Sequence, residues 1–335
     1  MKVLRLHSPG DVRLHEEPTP VPSEGEVLLR IRAVGLCGSD LHWLSEGAIG
    51  DARLVQPLVL GHEFAGVVES GELRGQRVAV EPSVGCGRCE FCLEGNPNLC
   101  LSQRFAGHDR EDGALREYMA WPAHALFPLP DILSSVDGVM LEPLGIAIHA
   151  VDLGHLRPGM TVGVFGCGPI GLLVLQVARI SGAMAVVVTD KLPHRLQAAA
   201  SLGATAVFPV DSGREAEEVL KFTNGRGVDV AFEASDDNSA VEAAVAAAKP
   251  GARVVLIGIP SDNRTAFTAS TARRKGLTFV MVRRMKLAYP RAINLVRRGL
   301  VDVRAVVSHR FPLHEFERAL QVAHRREGLK VIIEP

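Results

Sequence analysis

The chain has 335 residues, 47% of them hydrophobic and 22% charged, with a formal net charge of −1 at pH 7. At ~150 residues per domain this length predicts about two domains with a cleft between them. No apolar run approaches the ~18 residues of a membrane span, and the balanced charge gives no electrostatic reason to expect nucleic acid or an anionic membrane as partner.

The opening MKVLRLHSPGDVRLHEEP alternates apolar residues with early acids, whereas a secretory signal needs a basic start and an unbroken apolar run, so the expected compartment is the cytoplasm. The first 130 or so residues are short apolar runs such as EVLLRIRAVGL and QRVAVEP, split by Gly, Pro and acids, and they predict short strands joined by turns. Near Met140 the texture changes, and the alternation begins at Thr161. Apolar strands (TVGVF, AVVVTD, AVFPV, VDVAFEAS, RVVLIGI) alternate with helical patterns, the first running from Ile170 to Ser181. Such an alternation builds a parallel sheet with helices on both faces. After Val282 a helix over YPRAINLVRRG, a segment HRFPLHEFERALQVAH and a last strand LKVIIEP are expected to return and complete the first domain. The expected organisation is a mostly β domain over 1–145, a nucleotide-binding domain over 146–282 and a return segment over 283–335, an α/β fold class.

Four of the six cysteines crowd into GCGRCEFCLEGNPNLC, as Cys86, Cys89, Cys92 and Cys100 in a C-x2-C-x2-C-x7-C spacing. In a reducing compartment such crowding points to metal rather than disulfides. Four thiolates close a tetrahedral zinc shell, so the lobe at 85–101 is expected to be structural and too poor in apolar residues to fold without its ion. An iron–sulfur cluster also takes four cysteines, but the long last gap and Leu101 after it differ from the usual run ending in Cys-Pro. A nucleic-acid-binding zinc ribbon shows a basic surface, and Glu90 and Glu94 lie within this one.

Gly166, Gly168 and Gly171 have the G-x-G-x-x-G spacing, directly after a strand and at the head of a helix, with Pro169 and Ile170 between them. Gly166 permits the turn, Gly168 lets backbone approach a pyrophosphate, and Gly171 lets helix pack on strand. Asp190, at the end of the next strand, is placed to accept from adenosine ribose hydroxyls and to repel a 2′-phosphate, which favours NAD over NADP. Lys191 and Arg195, the latter placed with the cofactor-binding residues, pull the other way. Cys167 inside the turn reads as a small side chain that fits.

Two more fragments carry metal-ligand chemistry: GLCGSDLHWL, with Cys37, Ser39, Asp40 and His42, and PLVLGHEFAG, with His62 beside Glu63. A third, LEPLGIAIHA, sets Glu142 in an apolar run, where an acid is costly unless something compensates it. Cys, His and carboxylate around zinc with one position open is a catalytic arrangement.

With these fragments in this order the chain resembles the zinc-dependent medium-chain dehydrogenases/reductases over essentially its whole length, and within them the polyol (sorbitol and xylitol) dehydrogenase branch. The resemblance implies a GroES-like catalytic domain and a Rossmann cofactor domain. It also implies that Cys37, His62 and Glu63 bind a catalytic zinc, with Glu142 as a further ligand or as partner of the water on the metal. By the same resemblance Ser39 and His42 match a proton relay. The implied reaction moves a hydride from a secondary alcohol to NAD, with one catalytic and one structural zinc per chain. NAD-dependent threonine 3-dehydrogenases and simple secondary-alcohol or butanediol dehydrogenases share nearly all these motifs. A nucleotide-sensing zinc protein needs neither the Cys37, His62 and Glu142 set nor the relay. Two departures stand out: GVVESGELRGQRV is shorter than usual, and VRRMKLAYP keeps Arg283 but has Arg284 where an aromatic residue is common. Arg283 is a candidate for a distal substrate hydroxyl, and Trp43 and Phe105 are candidate pocket walls. A homo-oligomer, dimer or tetramer, is implied as well.

Overall fold

The computed structural model describes residues 1–211 and 213–335 and divides into two compact units. The first comprises Met1–Glu142, Tyr289–Arg297 and Val307–Pro335; the second comprises Pro143–Ala288 and Arg298–Val306. The return expected from residue 283 thus begins at Tyr289 and is interrupted once, because Arg298–Val306 goes back to the second unit. Gln176 fixes that excursion, donating to the carbonyl of Asp302 and accepting from its N–H.

The first unit is built on a seven-stranded sheet ordered Leu126–Pro128, Arg77–Val80, Glu63–Val68, Glu26–Gly35, Lys330–Glu334 and Val307–Pro312, with Tyr118–Pro122 pairing Glu26–Gly35 as well. Glu26–Gly35 shows why: its first eight residues alternate partly or fully exposed with buried, and its last three are all buried, as expected of a strand that enters the core. Lys2–Ser8 and Asp11–Glu16 form a separate hairpin. Trp43, Phe64 and Trp121 are among the large side chains of the apolar core below the sheet.

The second unit is a six-stranded parallel sheet ordered Ala206–Pro209, Ala185–Asp190, Thr161–Phe165, Val228–Glu233, Ala248–Leu256 and Thr278–Met281. Its three central strands are buried along their whole length, which is why they read as unbroken apolar runs. In order of appearance these strands run 3-2-1-4-5-6, the doubly wound arrangement. Its ligand crevice opens at the carboxyl ends of Thr161–Phe165 and Val228–Glu233, where the order reverses. The helix Ala269–Lys275 and edge strand Thr278–Met281 were not expected from periodicity; they are short, and Thr278 and Met281 face solvent. Among the described residues no helix is long and apolar enough to cross a membrane.

Candidate metal and cofactor sites

Cys37 follows the strand Glu26–Gly35 and caps the helix Gly38–Glu46. Asp40 completes that cap, its Oδ2 accepting from the Cys37 N–H at 2.9 Å. Its other oxygen accepts from the Gly61 N–H at 3.2 Å and lies 3.5 Å from His62 Nδ1. One buried carboxylate therefore ties the loop carrying Cys37 to the loop carrying His62. With Nδ1 occupied, His62 is left Nε2 for a ligand, and Ser39 Oγ stands 3.4 Å from it. Burial opposes ionisation of Asp40, but the neighbouring imidazole and the two N–H donors outweigh it and hold its pKa below the ordinary value. For His62 burial is likewise outweighed, by Asp40 and the Cys37 sulfur, and the imidazole binds a proton more tightly than usual.

Glu63 opens the next strand, opposite Gly35. A Cβ at Gly35 would lie 2.2 Å from a Glu63 carboxylate oxygen, so this glycine makes room for the acid. The ligand atoms of Cys37, His62 and Glu63 all lie within 4.8 Å of one another. Thiolate, imidazole and carboxylate at that spacing fit zinc, with a coordination position to spare. Glu142, buried at the start of the helix Leu141–Gly154, stands outside this set. Its charge nonetheless helps to raise the pKa of Lys330 and, after burial, that of Tyr289.

Cys86, Cys89, Cys92 and Cys100 also bring their four sulfurs within 4.8 Å of one another. Backbone N–H groups of Arg88 and Cys89 draw the Cys86 thiol down to about 6, while burial pushes Cys92 up to about 12. Four sulfurs at this spacing fit a tetrahedral cation, which would hold them as thiolates. The short helix Glu90–Leu93 buries no residue and Leu101 is 88% exposed, so the lobe has no apolar core to hold it instead.

In the second unit the glycine turn joins Thr161–Phe165 to the helix Pro169–Ile180. Gly166 has φ 102° and packs on the Ala234 carbonyl, and a Cβ at Gly171 would lie 1.9 Å from the Gly166 oxygen. Gly168 differs: its φ is −62°, and a Cβ there would meet only Arg195, at 3.6 Å. Protein packing leaves that space free, at a helix N-terminus headed by Pro169 and Ile170, as a pyrophosphate cradle requires. Asp190 accepts from the N–H of Cys167 at 2.7 Å and of Leu192 at 2.8 Å, one per oxygen, with Arg195 3.9 Å away. Cys167 is buried in the turn, its thiol pushed up by burial, which fits a packing role.

Of the remaining candidates, Phe105 lies over His62 with ring centroids 5.2 Å apart, and His42 Nδ1 is 3.2 Å from Glu46 Oε1. Trp43 is 1% exposed and belongs to the core, so it backs the site rather than walling it. Arg283 is exposed in the second unit.

Residues 23–131 match the alcohol dehydrogenase GroES-like domain and residues 169–298 the zinc-binding dehydrogenase domain. A sorbitol dehydrogenase from Bacillus subtilis (strain 168) is 35% identical over 345 residues, covering 100% of this chain and 97% of that protein. The chain belongs to the zinc-dependent medium-chain dehydrogenase/reductase family. Two solved structures of nicotinamide-cofactor complexes share the fold of this dehydrogenase. An alcohol dehydrogenase from E. coli CFT073 with NADH superposes with TM-score 0.92 at 29% identity, covering 100% of this chain and 99% of that one. A zinc-binding dehydrogenase from Sinorhizobium meliloti 1021 with NADP superposes with TM-score 0.90 at 29% identity, with the same coverage.

In this medium-chain dehydrogenase two residues join the site beyond the motif ligands. Asp40 lies inside the GLCGSDLHWL motif, but its tie to His62 needs the fold to bring residue 62 beside residue 40. Lys330, from the last strand, donates to both oxygens of Glu63. A lone lysine in the apolar run LKVIIEP was the only signal for it.

Proposed function

We propose that this enzyme oxidises a secondary alcohol of a polyol, of the sorbitol or xylitol kind, to the ketone with NAD as hydride acceptor. The observation that carries the proposal is the convergence of half-buried Cys37 with buried His62 and Glu63 in one corner of the first unit. The sorbitol dehydrogenase relative supports the substrate class.

In this reading the first unit is catalytic and the second binds the cofactor. Cys37, His62 and Glu63 hold a catalytic zinc, with Glu142 in reserve, and the four cysteines of the 85–101 lobe hold a structural one. When bound, the catalytic zinc polarises the substrate hydroxyl as a Lewis acid and the nicotinamide takes the hydride. Ser39 accepts the hydroxyl proton as it releases its own towards His42, and its place beside His62 suits that task. His42, one helical turn further on and partnered by Glu46, hands the proton to solvent. Asp40 keeps His62 in the tautomer that presents Nε2. Gly166, Gly168 and Gly171 seat the pyrophosphate on the N-terminus of the helix that Pro169 and Ile170 begin. Each oxygen of Asp190 keeps a lone pair for a ribose hydroxyl after accepting its backbone N–H, and its charge disfavours a 2′-phosphate, so NAD is preferred over NADP. Arg195 flanks the same hydroxyls, Phe105 walls the substrate, and Arg283 is assigned to a distal hydroxyl.

A homo-oligomer is part of the proposal. Thr278–Met281 ends the parallel sheet with one backbone edge unpaired among the described residues and Met281 63% exposed, an edge suited to pairing with another chain. The substrate assignment is tested by an NAD-reduction screen over sorbitol, xylitol, threonine, butanediol and simple secondary alcohols. Polyols are expected to give the highest kcat/KM; threonine or butanediol in first place would replace the polyol reading.

A further inference from the structure

The aromatic cluster beside the candidate ligand His62 has one further polar member, His108. Its ring stands perpendicular to Phe105, centroids 6.1 Å apart at 86°, and to Trp43, 5.6 Å apart at 85°. Phe105 in turn covers His62, so His108 lies one aromatic ring away from a metal-ligand candidate. Trp43 is in the core, whereas His108 and Phe105 are half-buried and so reachable from the open side.

The loop is fixed relative to His62 by its backbone. Gly107 has φ 73°, and a Cβ there would lie 3.0 Å from the Gly61 nitrogen; one at Gly113 would lie 2.4 Å from the Gly61 oxygen. The N–H groups of Gly107 and His108 donate to the Glu111 carbonyl at 2.9 and 3.3 Å, and Gly113 donates to Val59 at 2.6 Å. Residues 107–113 are therefore clamped against the segment that ends in His62, which fixes the backbone of His108 relative to that of His62.

We propose that His108 is a specificity-determining residue that fits this site to a polyhydroxylated substrate, exchanging hydrogen bonds with a hydroxyl a few carbons beyond the reacting one. The proposal rests on the dehydrogenase reading above and deepens it. A neutral imidazole offers one donor and one acceptor, the same pair that a hydroxyl offers. Beside Phe105, it rewards a hydroxylated carbon chain over a plain one. Sites that hydrogen-bond a substrate hydroxyl discriminate against analogues lacking it by large factors. Because His108 is half-buried and water can replace the lost partner, the expected factor is more modest, about 10 to 100-fold.

The test compares the zinc-verified wild-type enzyme with His108→Phe, which keeps a flat ring in the aromatic cluster, and His108→Gln, which restores a donor and an acceptor. The readout is the ratio of kcat/KM for xylitol to kcat/KM for 2-butanol, measured by NADH formation. His108→Phe should lower that ratio about 10 to 100-fold, chiefly through KM for xylitol, and His108→Gln should recover much of it. A ratio within twofold of wild type in His108→Phe, or one lowered as much in His108→Gln, overturns the assignment to His108 alone. Failure of the wild-type enzyme to oxidise either alcohol overturns the underlying dehydrogenase reading and this inference together.

Discussion

The ammonium of Lys330 lies 2.6 Å from both carboxylate oxygens of Glu63, two buried residues 267 positions apart. Lys330 also donates to the Leu36 carbonyl at 3.1 Å, next to Cys37. Burial opposes its charge, yet Glu63, Cys37 and Glu142 outweigh that and raise its pKa. The C-terminal strand thus supplies the counter-charge for an acid buried beside Cys37 and His62.

Removing that counter-charge leaves Glu63 buried and unpaired, a defect that costs about 3–5 kcal/mol. Lys330→Met should therefore destabilise chelator-treated protein by about this amount in urea unfolding. Adding Glu63→Gln in the same chain should recover part of the loss, because residue 63 then carries no charge to be left unpaired. Equal losses in the single and double variants would mean that the ion pair is not the cause.

The three glycines of the dinucleotide turn should separate in their effects. Gly171→Ala drives a methyl into the Gly166 carbonyl and should cost about 2 kcal/mol or more. At Gly168 a methyl meets only Arg195, at 3.6 Å, so Gly168→Ala should keep the thermal midpoint of wild type while weakening NAD binding at least tenfold by fluorescence titration. Unchanged NAD affinity in Gly168→Ala would show that no phosphate approaches there.

Glu233 ends a central strand, its two oxygens accepting from the N–H groups of Ser235 and Gly258. Burial is the larger influence and raises its pKa to about 7. A carboxyl raised in the folded state contributes stability that is complete below its unfolded pKa, ~4.5, and is lost as pH climbs through about 7. Between those limits wild type should lose up to about 3 kcal/mol relative to Glu233→Gln. The glutamine cannot accept from both N–H groups, so that variant carries a fixed cost of about 1 kcal/mol. Parallel stability curves for the two proteins from pH 4.5 to 7.5 would contradict the raised pKa.

In the 85–101 lobe the proposed zinc takes the place of the missing core. Cys89→Ser should lose one zinc per chain and open this lobe to protease while leaving NAD binding intact. A lobe that resists protease without its metal would point to some other source of rigidity.

The parts of this site that are legible in sequence are those coded by local spacing. The glycine turn, the four-cysteine lobe and the alternation of strands and helices each lie within a few tens of residues, so periodicity and offsets reveal them. Lys330 is invisible to that reading, because a lysine in a strand is ordinarily a solvent-facing residue. Only the packing of Lys330–Glu334 beside Glu26–Gly35 carries it to Glu63. His108 is invisible to it for a similar reason: its place beyond Phe105 is set by the approach of Gly107 to Gly61. Trp43, expected as a wall, is drawn into the core by the helix that Cys37 caps. The interruption at Arg298–Val306 depends on Gln176, more than a hundred residues earlier.

The central claim is that Cys37, His62 and Glu63 hold one catalytic zinc apart from the four-cysteine zinc. Metal content and NADH formation from xylitol, measured together on wild type and Cys37→Ser, test it most directly. The account predicts about two zinc per chain and turnover in wild type, against about one zinc and no turnover in the variant, with NAD still bound by both. A Cys37→Ser protein that retains wild-type turnover with a single zinc would contradict it.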